Sequence, residues 1–173
     1  LIYVPERPVS MDIILGDIGR AHKELGYVVV ALSEGVRDPA GQLLGALSES
    51  RDAFGHRQLG GVSAILATQV TARLGLKARF EKPDTMQRSS AALISRVDLS
   101  EAYLVGQMAV EAMLAGISAK MVALERVPGP EYACRTALVD LSLVAGVERP
   151  LPPAFLSADG RDVTPAFLEY ARP

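Results

Sequence analysis

Two uninterrupted apolar runs with a helical stretch between them constrain this chain more than anything else in it. Leu1-Ile2-Tyr3-Val4 and Tyr27-Val28-Val29-Val30-Ala31-Leu32 contain no charged residue. Neither alternates in the way of a strand with one wet face. Continuous apolar strands joined through a helix belong to a mainly parallel sheet covered on both faces, a three-layer α/β architecture. Pro5 stops the first run, Ser10 offers an N-cap oxygen, and Asp12 puts a negative charge on the first helical turn. Ile13, Ile14, Asp17, Ile18 and Ala21 then form a mostly apolar stripe at helical spacing. Gly16 and Gly19 weaken that helix, and Gly26 is placed to end it.

The same reading extends down the chain. Residues 36–54 are polar, hold Pro39, Gly41 and Gly45, and predict a loop with a short helix around Leu43–Leu47. Gly60-Gly61 leads into a helix with Val62, Ile65, Leu66, Val70 and Leu74 on one face and Gly75 as its stop. Leu76–Phe80 predicts a third strand and Glu81–Ser89 a loop. A long helix is expected over Leu99–Ala115, capped by Asp98 with Glu101 three residues on. Val105, Met108, Ala109, Ala112 and Met113 would face inward, and Gly116 would end it. Lys120–Leu124 predicts a fourth strand, with helices near Ala137–Val144 and Pro165–Tyr170 separated by a proline-rich turn at Pro150–Pro153.

Composition closes off several functions. With 173 residues, 49% hydrophobic and 22% charged, the chain is one domain's worth of folded protein rather than a disordered segment. A formal net charge of −2 gives no basic surplus for a nucleic acid backbone, so no nucleic-acid partner is expected. The single cysteine, Cys134, allows neither an internal disulfide nor a cysteine-based zinc site, and it suits a reducing, cytoplasmic setting. Two histidines, His22 and His56, cannot make a histidine-rich metal centre. No apolar run reaches the roughly 18 residues of a membrane span, so no membrane association is expected. The chain opens within an apolar run at Leu1 and has no secretory signal pattern, which leads to the expectation that it is the later part of something longer.

Chemistry in a parallel sheet concentrates beyond the carboxyl ends of the strands. There stand Pro5-Glu6-Arg7, then Ser33-Glu34-Gly35, Arg79 with Thr85-Met86-Gln87-Arg88-Ser89-Ser90 further on, and Glu125-Arg126. Carboxylates accept from sugar hydroxyls, and arginine's planar fork suits phosphate oxygens, so the set reads as a sugar-phosphate site. The competing reading is ordinary: loop arginines and glutamates are mostly solvated and worth about 0–1 kcal/mol in a pair. Gly60-Gly61 before a helix can cradle a phosphate but lacks the longer glycine spacing and lysine of a P-loop. His56 could act as an acid or base, though loop histidines more often brace turns. Cys134 reads as a small core residue, and Met108 with Met113 as core packing.

Taken in order, Tyr3-Val4-Pro5-Glu6-Arg7, Leu32-Ser33-Glu34-Gly35, Asp52-Ala53-Phe54-Gly55-His56-Arg57-Gln58-Leu59-Gly60-Gly61, Thr85-Met86-Gln87-Arg88-Ser89-Ser90, Asp98 with Glu101-Ala102 and Gly106, and Met121-Val122 span nearly the whole chain. The ordered set resembles the C-terminal half of a phosphofructokinase, in the flavour of the pyrophosphate-dependent group. The resemblance implies a phosphofructokinase-like fold in which residues 1–173 supply the fructose 6-phosphate side. It makes Glu6 the sugar-binding glutamate and Arg88 the arginine that holds the 6-phosphate. Arg79 becomes a second phosphate-binding arginine that reaches a site across a subunit boundary, so a homo-oligomer is implied. Thr85, Met86 and Gln87 belong to the same substrate loop. Thr85 stands where ATP-dependent relatives have histidine, and Ser89-Ser90 replace their Gly-Gly.

The family's Gly-Gly-Asp loop, its Thr-Ile-Asp-Asn-Asp segment with the catalytic base, and its Met-Gly-Arg are absent. The resemblance therefore implies no catalytic residue and no metal ligand in this chain. The Mg2+ ligands, donor loop and base would lie in an N-terminal part. The parent would be a glycolytic enzyme that phosphorylates the 1-hydroxyl of fructose 6-phosphate from pyrophosphate, and this stretch alone would be inactive. The alternatives are an ATP-dependent 6-phosphofructokinase, a non-catalytic sugar-phosphate-binding or regulatory subunit, and a generic parallel-sheet domain.

Overall fold

The computed structural model describes residues 1–45, 61–83 and 85–172, with Gln87 and Arg88 described by their backbone. The helix expected over Leu43–Leu47 extends past residue 45, and His56 and the Asp52–Gly60 stretch also lie outside the described residues. The chain divides into two compact units, one formed by Leu1–Lys82 and Leu151–Glu169, the other by Pro83–Pro150 and Tyr170–Pro173.

In the first unit, β1 (Ile2–Tyr3) and β2 (Ala31–Leu32) pair in parallel, Ile2 opposite Ala31 and Tyr3 opposite Leu32. Between them runs α1 (Met11–Leu25), with the expected caps: Ser10 accepts from the Ile13 amide, and Gly26, at φ 78°, donates back to the His22 carbonyl. α1 buries Ile14, Leu15, Asp17 and Ile18. α2 (Val62–Leu74) packs on α1 and buries Val62, Leu66 and Val70, three of the five side chains predicted for its inward face. Ile14, Leu15, Ile18, Leu66 and Val70 form the core with Tyr3, Val9 and Val36.

Three expectations change here. The run from Tyr27 is extended, but only its last two residues join the ladder. Val28, Val30 and Leu32 pack on the core, whereas Tyr27 and Val29 are 67% and 73% exposed, so this apolar strand has one uncovered face. Leu76–Phe80 is likewise extended with no ladder partner among the described residues. It keeps a strand's alternation, Leu76 and Ala78 against the core and Lys77 and Arg79 outward. Leu43 is not helical; it bridges back to Arg37 around a turn in which the Asp38 carboxylate accepts from the Gln42 amide at 2.8 Å.

The second unit starts with α3 (Met86–Ser89), one helical turn where a loop was predicted, and a 3-10 turn at Ala91–Leu93. The long helix α4 (Arg96–Leu114) starts earlier than expected, because Ser95 rather than Asp98 is the cap and accepts from the Asp98 amide. Val105, Met108 and Ala112 are half-buried, but Ala109 and Met113 are exposed. The fourth strand, β3 (Lys120–Arg126), is not part of the parallel sheet. It forms a seven-pair antiparallel hairpin with β4 (Cys134–Asp140), so the predicted Ala137–Val144 helix is reduced to α5 (Leu141–Val144). The physical reasons are legible afterwards. Pro128-Gly129-Pro130 is a turn signal. The register also sets Lys120 opposite Asp140 and Glu125 opposite Arg135, with ion-pair distances of 2.6 and 2.9 Å. α6 (Pro165–Ala171) ends the described chain.

Candidate functional site

The ends of β1 and β2 bring two acidic turns together. Gly35 lies against Pro5 so closely that a Cβ on it would sit 3.2 Å from Pro5 Cγ, so the Ser33-Glu34-Gly35 turn nests on the Pro5-Glu6 turn. Glu6 is exposed, and its Oε1 accepts a hydrogen bond from the Leu151 amide at 2.7 Å. Glu34 faces Lys82, with Oε1 3.5 Å from Nζ, while its Oε2 is buried with no hydrogen-bond partner among the described residues. Arg79 is exposed and makes no ion pair or hydrogen bond among the described residues.

Behind the Glu6 turn is a polar knot. The buried Asp17 carboxylate accepts from Tyr3 Oη at 2.9 Å and from the guanidiniums of Arg20 and Arg161. Burial, and then the Asp17 carboxylate, push the Tyr3 phenol well above its ordinary range, so it stays a donor. The hydrogen bond to Asp17 raises Arg161 as well.

Thr85, Met86, Gln87 and Arg88 come together on the single turn of α3 in the second unit. The Met86 amide donates to the Pro83 carbonyl at 2.8 Å, and Ser89 closes the turn, its amide and its Oγ each donating to the Thr85 carbonyl at 3.1 Å. A serine in place of glycine thus ties down the turn that carries Gln87 and Arg88. Thr85 and Met86 are exposed. Among the described residues no group of three His, Cys, Asp or Glu side chains converges as a metal site. The described acidic side chains therefore form no cluster that fits Mg2+, and no chemical step below runs through it. No helix among the described residues is long and apolar enough to cross a membrane.

No family model matches the chain. Over all of its 173 residues it is 36% identical to pyrophosphate–fructose 6-phosphate 1-phosphotransferase from Xanthomonas campestris pv. campestris (strain B100), matching 41% of that protein. Its structure is similar to the crystal structure of pyrophosphate-dependent phosphofructokinase from Nitrosospira multiformis, with a TM-score of 0.75 and 30% identity over 98% of this chain and 39% of that one. The chain belongs to the phosphofructokinase family. It spans well under half the length of these relatives. Another relative at 40% identity, covering 90% of this chain and 40% of its own length, is sulfofructose kinase from Alkalicoccus urumqiensis.

The phosphofructokinase-like α/β fold thus agrees with the class read from the apolar strands, and the pyrophosphate-dependent flavour agrees with the relatives' names. Sequence reasoning missed Lys82, Leu151 and Arg161, which contact Glu34, Glu6 and Asp17 respectively. Lys82 carried no signal beyond its charge. Leu151 did carry one, since it supplies the only amide hydrogen in Pro150–Pro153.

Proposed function

We propose that this chain forms the acceptor side of a pyrophosphate-dependent phosphofructokinase. The oxygen of the sugar 1-hydroxyl attacks one phosphorus of pyrophosphate. The bridging P–O bond breaks, inorganic phosphate leaves, and the hydroxyl proton passes to a base outside this stretch. Glu6 accepts from the sugar hydroxyls. Arg88 neutralises the 6-phosphate, joined by Arg79 from across a subunit boundary, with charge-assisted bonds worth about 1.5–3 kcal/mol each. Thr85, Met86 and Gln87 complete the loop that presents Arg88. The donor loop, the base and the Mg2+ carboxylates belong to the remaining length that the relatives carry. Phosphoryl transfer is mostly positioning and charge stabilisation, so a stretch devoted to gripping the acceptor is a coherent part of such an enzyme. The protein would work in the cytoplasm as a homo-oligomer.

The observation that carries this reading is the 36% identity along the whole chain to an enzyme of that name. It is tested by incubating the full-length protein with fructose 6-phosphate, Mg2+ and either pyrophosphate or ATP. Fructose 1,6-bisphosphate should appear with pyrophosphate and not with ATP. Turnover with ATP alone would favour the ATP-dependent alternative, and absence of product with both donors would favour a non-catalytic subunit. Sulfofructose belongs in the same assay because of the 40% identical relative. Preference for it over fructose 6-phosphate would reassign the acceptor.

A further inference from the structure

Pro150-Leu151-Pro152-Pro153 contains one backbone N–H, that of Leu151, because proline has none. That single donor points at Glu6 Oε1, 2.7 Å away and 145 residues distant in sequence. The chain around it is fastened to the same region by three further bonds. The Ile2 amide donates to the Arg161 carbonyl at 2.8 Å, Arg7 Nη1 donates to the Ala158 carbonyl at 3.1 Å, and the Arg161 guanidinium donates to Asp17. Gly160 lies against Arg7 in a left-handed conformation that favours glycine: its φ is +70°, and a Cβ there would press on Arg7 Cδ at 3.0 Å. Glu6 is thus approached by a strap whose far end, at Ala158 and Arg161, is fastened to β1, to α1 and to Glu6's own neighbour Arg7.

We propose that the strap of residues 151–161 is a positioning device for Glu6, with Leu151 as the residue that orients the carboxylate. This rests on the reading of Glu6 as the sugar contact. A lone exposed glutamate samples several rotamers and loses that freedom on binding. Pinning Oε1 to a proline-stiffened amide removes much of that loss in advance and leaves Oε2 for a sugar hydroxyl. Asp17 and Arg161 act through the strap and touch no substrate. They hold the strap's far end, as Arg7 does over Gly160.

The test is steady-state kinetics on the full-length protein, with fructose 6-phosphate and pyrophosphate varied in turn. Leu151→Pro removes the amide hydrogen together with the half-buried leucine side chain and fixes φ, so Leu151→Ala is its control. Leu151→Pro should raise the Michaelis constant for fructose 6-phosphate by about three- to tenfold, as losing part of the advance ordering of one glutamate side chain implies, and leave that for pyrophosphate unchanged. Leu151→Ala keeps the N–H and should restore most of the loss. In the background of Glu6→Ala, Leu151→Pro should add nothing further, because the two act as one unit. Arg161→Lys, which loosens the anchor without touching Glu6, should move the same constant in the same direction. It carries the test if Leu151→Pro does not fold. A merely structural strap would lower the melting temperature and leave the two Michaelis constants in their original ratio. If Glu6→Ala raises the sugar-phosphate constant and Leu151→Pro or, where that variant fails to fold, Arg161→Lys does not, the positioning role is overturned. If Glu6→Ala itself has no effect, the assignment of Glu6 is what fails, and the positioning role falls with it.

Discussion

The two units of this chain share a composition but not a way of being stable. The first buries Tyr3, Ile14, Leu15, Ile18, Val36, Val62, Leu66 and Val70 around a Tyr3–Asp17–Arg161 knot. In the second, no described side chain is fully buried, and Leu93, Tyr103 and Leu114 are 86%, 77% and 79% exposed. α4 is apolar on opposite sides: Leu99, Tyr103, Val110 and Leu114 share one exposed face, and Val105, Met108 and Ala112 are half-buried on the other. A helix apolar all round is one that a larger core covers. The relatives are more than twice as long as the stretch matched here. The first unit therefore reads as a half that carries its own core, and the second as a half held by its hairpin, its charges and its hydrogen bonds.

The sharpest way to break this contrast is truncation in the 173-residue chain. Ile14→Ala should cost about 2–5 kcal/mol, the range for emptying a core site. Leu114→Ala should stay within about 0.5 kcal/mol, as an exposed position does. Urea unfolding followed by circular dichroism reads both, and similar losses would dissolve the distinction. Asp17→Ala comes next. It leaves the Tyr3 hydroxyl buried without its acceptor and frees the strap, for about 1–3 kcal/mol. A loss below the Leu114→Ala value would remove the knot from the account.

In the second unit the corresponding device is a hydrogen-bonded cluster rather than a core. Glu101 on α4 accepts from Tyr132 Oη at 2.6 Å and from Cys134 Sγ at 2.9 Å. These donors, the thiol first, hold Glu101 below the usual carboxylate range. The same carboxylate pushes Cys134 up and Tyr132 up to about 12. The signs follow. The Glu101 contribution is present above the unfolded carboxylate's range and is lost as pH falls through the lowered value. The Tyr132 contribution is complete below the unfolded phenol's range and is lost as pH climbs through about 12. The link is strongest across neutral pH. Glu101→Gln should lower the pH midpoint for iodoacetamide alkylation of Cys134, and an unmoved or raised midpoint would contradict the cluster. The smallest effect belongs to the hairpin charges. Arg135→Ala, which breaks the exposed pair with Glu125, should lower the melting temperature only slightly and should matter less in high salt.

What the sequence shows and hides follows the same division. Around α1 the caps, the stripe and the stop are all local signals, so the helix from Ser10 to Gly26 was readable residue by residue. The class was readable too, because apolar runs at both ends of such a helix have few other uses. The hairpin was misread because Ala137-Leu138-Val139-Asp140-Leu141 spaces its apolar residues acceptably for a helix. Only pairing with β3, a contact between distant residues, decides for a strand. The site was half legible. Glu6, Arg79 and the Thr85–Arg88 turn stand out by residue type and order. The Leu151 amide and the Arg161 guanidinium reach the Glu6 region only through the fold, across 145 and 144 residues to Glu6 and Asp17.

In the proposed function this chain grips the acceptor and leaves the donor to the rest of the enzyme. Arg88→Ala in the full-length protein tests it most directly, with initial rates measured while each substrate is varied. The account predicts a Michaelis constant for fructose 6-phosphate raised at least about tenfold, with Arg88→Lys recovering only part because a point charge cannot copy the guanidinium fork. The constant for pyrophosphate should not move. A raised constant for pyrophosphate with that for fructose 6-phosphate unchanged would place the α3 turn on the donor side and contradict the account.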